Sequence, residues 1–382
     1  MYLLAYICLL FALLASLILG LKAVWELWSG RKLSVNWQER GQVLCSLLIV
    51  VASLVLLWAL GKRDFSLAYV ADYTDSFLSM FYALTAFWAG QQGSFLFWLL
   101  VLSLFGLVWG YSAAYKRISP ATKAYFWIFF LAIQAFFLFM LTGVSNPFLQ
   151  VLPAPQEGSG LNPLLQHPGM IFHPPLLFLG YAGFTIPACL AVASWLAEEK
   201  ESWLVLGRNW VLVPWIFLTA GIILGSWWSY MELGWGGYWA WDPVENASLI
   251  PWLASSAFLH TALLGRQRKS LGRSNVLLMG ITLILCFFGT YVVRSGVIDS
   301  LHAFGNGGVG APLLLLMLFS LLVLLGGAFM STRQESKPRG YLYRFRIKAP
   351  KELIRMGYYA GFGEKNSLGF GCGEMVNDRM IE

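Results

Sequence analysis

The chain has 382 residues, of which 58% are hydrophobic and only 12% charged, and its mean hydropathy is +0.65; this excludes an ordinary soluble globular protein. Its formal charge of +7 comes from basic residues between apolar runs, so it calls for no nucleic acid and fits a membrane lipid surface that carries anionic headgroups. Five cysteines with no Cys-x-x-Cys pair among them support neither a disulfide framework nor a thioredoxin-like or zinc site.

Apolar runs of about 20 residues, the length that crosses the hydrocarbon of a bilayer, fall near 2–21, 41–60, 93–114, 124–143, 174–197, 211–228, 247–264, 274–293 and 311–331. They predict an all-α polytopic transmembrane helix bundle of about nine spans over residues 1–331, with a basic cytoplasmic tail at 332–382. When the connections after the odd-numbered spans and the tail are assigned to the cytoplasm, that side holds 23 of the 26 Lys and Arg residues. The positive-inside rule then places the N-terminus outside. No basic segment precedes the first run, which reads as a retained helix and not as a cleaved signal peptide.

Along the chain, the outer connections carry the polar chemistry. Residues 61–92 hold Phe77, Phe81, Tyr82, Phe87 and Trp88 and end in Gly90-Gln91-Gln92-Gly93; they read either as a lipid-facing belt or as the wall of a ligand cavity. Residues 144–173 are rich in Pro, lack Lys and Arg, and contain two of the four histidines, His167 and His173. Gln166-His167-Pro168-Gly169 reads as a turn. His173 precedes Pro174-Pro175 at the mouth of the fifth run, where a helix N-terminus disfavours a charged imidazolium. A neutral imidazole is what iron ligation requires.

Between the sixth and seventh runs, the loop 229–246 contains Trp235-Gly236-Gly237-Tyr238-Trp239-Ala240-Trp241-Asp242-Pro243-Val244-Glu245-Asn246. Flat indole faces beside a double glycine suit a large planar apolar ligand; an interfacial aromatic belt is the alternative account. Asp242 at the N-cap, Pro243 at the first helical position and Glu245 at the third predict a capping box that opens the seventh helix. That helix carries His260, about 18–27 Å below its outer end at the α-helical rise. A lone histidine in the inner half of a bilayer is a functional candidate, with a core histidine bonded to a neighbouring carbonyl as the alternative. At that depth, one planar ligand cannot touch both His260 and the outer histidines. The eighth run exits through Arg294-Ser-Gly-Val-Ile-Asp-Ser-Leu-His302-Ala-Phe-Gly. His173 and His302 flank the aromatic loop and together could supply both axial ligands to one iron. Arg294 suits bidentate pairing with a carboxylate, or snorkelling at the interface.

The aromatic stretch with its Asp-Pro-Val-Glu-Asn end resembles the tryptophan-rich WWD signature of the haem-handling membrane proteins of cytochrome c maturation. With Glu232-Leu-Gly before it, Ala247-Ser248 after it, and the later Arg-Ser-Gly-Val and His-Ala-Phe, it is most similar to the CcmF/NrfE haem lyase family. The resemblance runs from the first residues to about residue 333. Tyr238 stands where that family usually has Trp, and Ala240 where it usually has a larger aromatic.

The resemblance implies a haem platform of Trp235, Gly236, Gly237, Tyr238, Trp239, Trp241, Asp242 and Glu245, with His173 and His302 as axial ligands of a transferable haem. It implies a propionate partner in Arg294, and a structural haem b within the membrane held by His260. It further implies a bacterial inner-membrane protein with a periplasmic active face, haem arriving from a CcmE-type carrier, an apocytochrome c client, and CcmH/CcmI-type subunits alongside. Thioether bonds then form to the client's Cys-x-x-Cys-His, so the nucleophile belongs to the client and the enzyme contributes orientation. Two further readings remain: a haem-binding or delivery subunit of the CcmC type, or an inactive fragment or half of a split lyase. The tail at 332–382 looks like no continuation of the family, reads as truncated or frame-altered, and leaves His260 without a second histidine of its kind in this chain. Ordinary transport is disfavoured by the lack of an internal repeat.

Overall fold

The computed structural model describes residues 1–234, 236–265, 272–298 and 308–334, together with residue 352. The chain divides into a unit Met1–Phe329 and a second unit Met330–Glu382, and the architecture below is that of the first. Among the described residues it is built from helices, with a single isolated bridge between Leu67 and Gln150. Among the described residues nine spans are long and apolar enough to cross a membrane, and they coincide with the nine apolar runs. They are formed by α1 (Tyr2–Trp28), α2 (Asn36–Lys62), α3 (Gln91–Tyr111), α4 (Pro120–Thr142), α5 (Pro168–Gly183) with α6 (Thr185–Leu196), α7 (Arg208–Glu232), α8 (Pro243–Gly265), α9 (Gly272–Arg294) and α10 (Gly310–Gln334). α5 and α6 make one span, interrupted at Phe184 because Pro187 has no N–H to return to the Gly183 carbonyl.

Because the apolar runs are hydrophobic all round, small and polar residues decide which face turns inward. On α1 the buried positions include Ala5, Leu9, Ala12, Ser16, Leu19 and Ala23, three or four residues apart, while Leu3, Leu4, Phe11, Leu14 and Ile18 are exposed. Ser16 belongs to a buried hydrogen-bond chain through the first four helices: Gln134 Nε2 donates to Ser16 Oγ at 3.0 Å, Gln42 Nε2 donates to Gln134 Oε1 at 3.0 Å, and Ser46 and Ser103 hydroxyls meet at 2.8 Å. Such pairs fix which helices neighbour one another where lipid tails cannot.

α5 and α7 approach more closely still. A Cβ on Gly180 would lie 2.8 Å from Leu218 Cβ, and one on Gly221 would lie 2.8 Å from Leu177 Cδ2. The segments that join the spans at the tryptophan-loop end are also knit together. Short helices Ala68–Tyr73 and Met80–Thr85 fill the connection before α3. The next connection crosses them through Ala68 N to Leu149 O at 2.9 Å, Val151 N to Ser66 O at 2.9 Å and Ser159 N to Ala71 O at 2.7 Å. This floor of loops leaves a cavity beneath the helix ends.

Candidate functional site: a cavity at the tryptophan-loop end

α5 starts earlier than the prolines suggest. It begins at Pro168, so Pro174 and Pro175 lie inside it and His173 sits in its second turn, not at its mouth. Gln166-His167-Pro168-Gly169 is correspondingly a helix start and not a free turn: His167 is the N-cap and its Nδ1 accepts the Gly169 N–H at 3.0 Å. Its ring packs on Trp227 with centroids 5.0 Å apart. The internal prolines have a use. Pro174 has no N–H to give the Met170 carbonyl, and that carbonyl accepts the Trp88 indole N–H at 3.2 Å. Trp88, from the first aromatic cluster, thereby becomes a cavity wall, while Phe77 and Phe81 of the same cluster are exposed.

The cavity encloses about 1080 Å³ of non-protein space, counting the part open to solvent. It lies where the first turns of α3, α5 and α8 meet the last turns of α7 and α9, as alternating helix directions require. His173, Trp228, Trp239, Glu245 and Arg294 all line it.

His173 is the most tightly specified of these. Its Nδ1 lies 2.7 Å from the Gly221 carbonyl oxygen. A carbonyl only accepts, so Nδ1 carries the hydrogen and Nε2 the lone pair of the neutral ring, the arrangement second-shell carbonyls impose on metal-binding imidazoles. The ring lies flat against the α7 backbone, since a Cβ on Gly225 would be 2.4 Å from its Cε1 and 2.6 Å from its Nδ1. Gly221 and Gly225, one turn apart, therefore supply the acceptor and the space.

Arg294 ends α9, with 7% of its surface exposed. Its charge reaches Tyr73, whose hydroxyl is pushed up by burial and held back by that guanidinium. Tyr69 is likewise raised by burial and by neighbouring Tyr73; its hydroxyl donates to the Ala86 carbonyl at 2.7 Å and accepts the Gly90 N–H at 3.1 Å. Gly289, further back on α9, lets its backbone rest on the Ala247 carbonyl, 2.8 Å from where a Cβ would stand, and Pro251 offers that carbonyl no N–H. This contact sets α9 against the first turn of α8.

The start of α8 makes the reciprocal bonds its spacing predicts. Asp242 Oδ2 accepts the Val244 N–H at 2.9 Å, and Glu245 Oε2 accepts those of Ala240 at 2.9 Å and Asp242 at 3.4 Å. The loop before it is not a flat indole shelf. Tyr238 stacks on Tyr230 at 4.5 Å and 16°, while Trp239 and Trp241 stand edge to face at 87°. Trp239 lines the cavity and Trp241 is 71% exposed on the rim, at φ +59°. Gly236, at φ +72°, and Gly237 form the turn before them.

His260 is exposed on α8 and lines no part of this cavity. Fifteen residues separate it from Glu245, roughly 22 Å at the helical rise. Trp235, His302 and the tail, apart from its first residues and Glu352, lie outside the described residues. Sequence reasoning missed Gly221, Gly225, Trp228, Tyr69 and Tyr73, whose roles depend on partners tens of residues away; the Pro174-Pro175 pair was the one local signal that a carbonyl would be left for another donor.

Fold and site together define a polytopic membrane protein with a ligand cavity of indole, imidazole and guanidinium groups at one end. The chain belongs to the cytochrome c assembly family, since the Cytochrome C assembly protein family matches residues 88–298. It is 45% identical over 287 residues to the probable cytochrome c-type biogenesis protein NrfE of Escherichia coli (strain K12), covering 74% of this chain and 50% of the relative. It is 39% identical over 324 residues to the cytochrome c-type biogenesis protein CcmF of the same organism, covering 84% and 50%. A solved structure of cytochrome c heme lyase CcmF matches with a TM-score of 0.72 at 33% identity, over 86% of this chain and 51% of that one. The chain thus spans about half the length of the curated relatives it matches. A second family, CRISPR associated protein Cas6, C-terminal, matches residues 327–375; it falls almost wholly on the second unit, where the sequence alone offered no resemblance.

Proposed function

We propose that this chain is a haem lyase subunit of cytochrome c maturation, in which the cavity receives haem on the periplasmic side of a bacterial inner membrane. His173 would hold the iron through Nε2, Arg294 would pair a propionate, and Trp88, Trp228 and Trp239, which line the cavity, would form walls around the ring. By the family resemblance His302 would be a second ligand to the iron, and Trp235, Tyr238 and Trp241 would be further contacts to the ring; His302 and Trp235 lie outside the described residues. The residues fit the group: the Gly221 carbonyl engages Nδ1, so that the neutral ring has its lone pair on Nε2, the backbone behind it has no side chain to intrude, and a cation shares the cavity. Bound iron porphyrin supplies the vinyl groups to which the client's thiols add; the chain's own work is to hold, orient and shield. His260 belongs to a separate, structural haem b deeper in the bilayer. The partners are a CcmE-type haem carrier, apocytochrome c, and CcmH/CcmI-type subunits.

The observation that carries this reading is the His173–Gly221 hydrogen bond inside a cavity shared with Arg294 and Trp239. Haemin titration followed by Soret absorption tests it. His173→Ala is expected to lose the cavity haem, and His260→Ala to lose only an independent component in the pyridine haemochrome; absence of Soret absorption in the parent chain, or an unchanged titration in His173→Ala, would sink it. A second reading, in which the chain is one half of a lyase completed by another polypeptide, is supported by the exposed position of His260 on α8. A haem-binding or delivery role of the CcmC type, without bond formation, is a reading of a different class.

A further inference from the structure

The cavity wall holds two polar atoms that find no hydrogen-bond partner among the described residues: the indole Nε1 of Trp239 and the second carboxylate oxygen, Oε1, of Glu245. Glu245 is 8% exposed and lines the cavity. Its Oε2 is fully engaged by the cap, accepting from Ala240 and Asp242, which fixes the side chain and leaves Oε1 as a buried acceptor in want of a donor. An unmatched buried acceptor is costly, so a ligand that occupies the cavity must provide one.

An iron porphyrin cannot. Its ring nitrogens are taken by iron, and its only peripheral polar groups are carboxylates, which are ionised near neutral pH and accept hydrogen bonds without donating them. They suit Arg294 and repel Glu245. A polypeptide offers what the porphyrin lacks, since each peptide unit brings an N–H donor beside a C=O acceptor, and cysteine adds an S–H.

We infer that the cavity is built for two occupants, and that Glu245 Oε1, with the Trp239 N–H, is the contact for an extended client polypeptide lying beside the haem. This rests on the haem reading above and deepens it, because a subunit that only carries haem has no use for a peptide acceptor inside its haem cavity. Glu245 is on this account a positioning residue: it anchors the client backbone so that its thiols reach the porphyrin edge, and takes no part in bond making.

The test uses the full chain in detergent micelles, loaded with haemin, and a fluorescent peptide of about ten residues bearing the Cys-x-x-Cys-His pattern with Ser in place of Cys, so that no bond can form. Glu245→Gln keeps an oxygen for the cap and presents an amide N–H₂ to the cavity, a donor where the peptide needs an acceptor. Peptide affinity, read by anisotropy, is expected to fall about tenfold, by more than any fall in haemin affinity read from the Soret band. Trp239→Phe removes the N–H together with one ring of the indole and is expected to weaken the peptide in the same direction; it carries the test if Glu245→Gln does not fold. Peptide binding unchanged in both variants, or a loss confined to haemin, overturns the inference and leaves Glu245 as a helix cap beside an ordered water. If the parent chain takes up no haemin, the haem reading fails by itself, and peptide binding to the haem-free protein still decides the role of Glu245.

Discussion

At the scale of single residues, the site depends on what is missing from α7 as much as on the histidine of α5. Gly225→Ala would ordinarily favour a helix, by roughly 1 kcal/mol. Here the new methyl would stand 2.4 Å from the His173 ring, so the imidazole must swing away from the Gly221 carbonyl. The expected outcome is a protein whose thermal unfolding is little changed and whose haemin affinity, by Soret titration, drops at least tenfold; an unaltered titration would show that the ring has another seat. His173, Trp239, Glu245 and Arg294 were legible in the sequence because their chemistry is rare in apolar surroundings. Gly221 and Gly225 were not, because a glycine in a membrane helix looks like any other until the side chain lying on it is known. The flat indole shelf that the sequence suggested is not formed by Trp239 and Trp241: adjacent aromatics in a loop turn by its dihedrals, and Trp241, at φ +59°, is exposed.

At the scale of elements, helix ends hold the bundle's connections in place. Glu199, in the connection between α6 and α7, reaches across to the start of α4, accepting from Ser119 N at 2.7 Å and Thr122 Oγ1 at 2.6 Å. Burial tends to raise its carboxyl, but these hydrogen bonds outweigh that and hold it below its ordinary 4.5. A carboxyl depressed in the folded state contributes stability above its unfolded value and loses it as pH falls through the folded one. Glu199→Gln is therefore expected to lower the unfolding temperature at pH 7, and the gap from the parent should close below about pH 4; a gap that persists in acid would assign the effect to packing. The spans themselves were legible from apolar run length alone, and the capping box at 242–245 from its four residues. The start of α5 was not, since prolines at positions 174 and 175 read as a boundary while the neighbouring indole of Trp88 supplies the bond that makes an internal position tolerable.

At the scale of the whole molecule, α7 and α8 are the least covered spans, with 22% and 28% of their apolar windows buried, against 78% for the span of α5 and α6. They border the cavity, and α8 carries His260 on exposed surface. An ionisable side chain exposed on a membrane span favours a polypeptide partner over lipid on this face. In a host deleted for its own lyase, co-expression with the remaining half of a relative is expected to restore holocytochrome c, measured by haem staining, while this chain alone does not; full restoration by the chain alone would refute the split reading. The family and the helical class were legible in the sequence, whereas what covers α7 and α8 was not, because a lipid-facing and a partner-facing apolar surface are composed alike. The seat of His173 is made from the backbones of two interlocked helices, whereas the tryptophans opposite belong to a loop fastened mainly at its helix end. On the proposed haem reading, the gate can thus loosen without disturbing the mooring, and evolution can retune the speed of handover by editing the one while leaving the other alone.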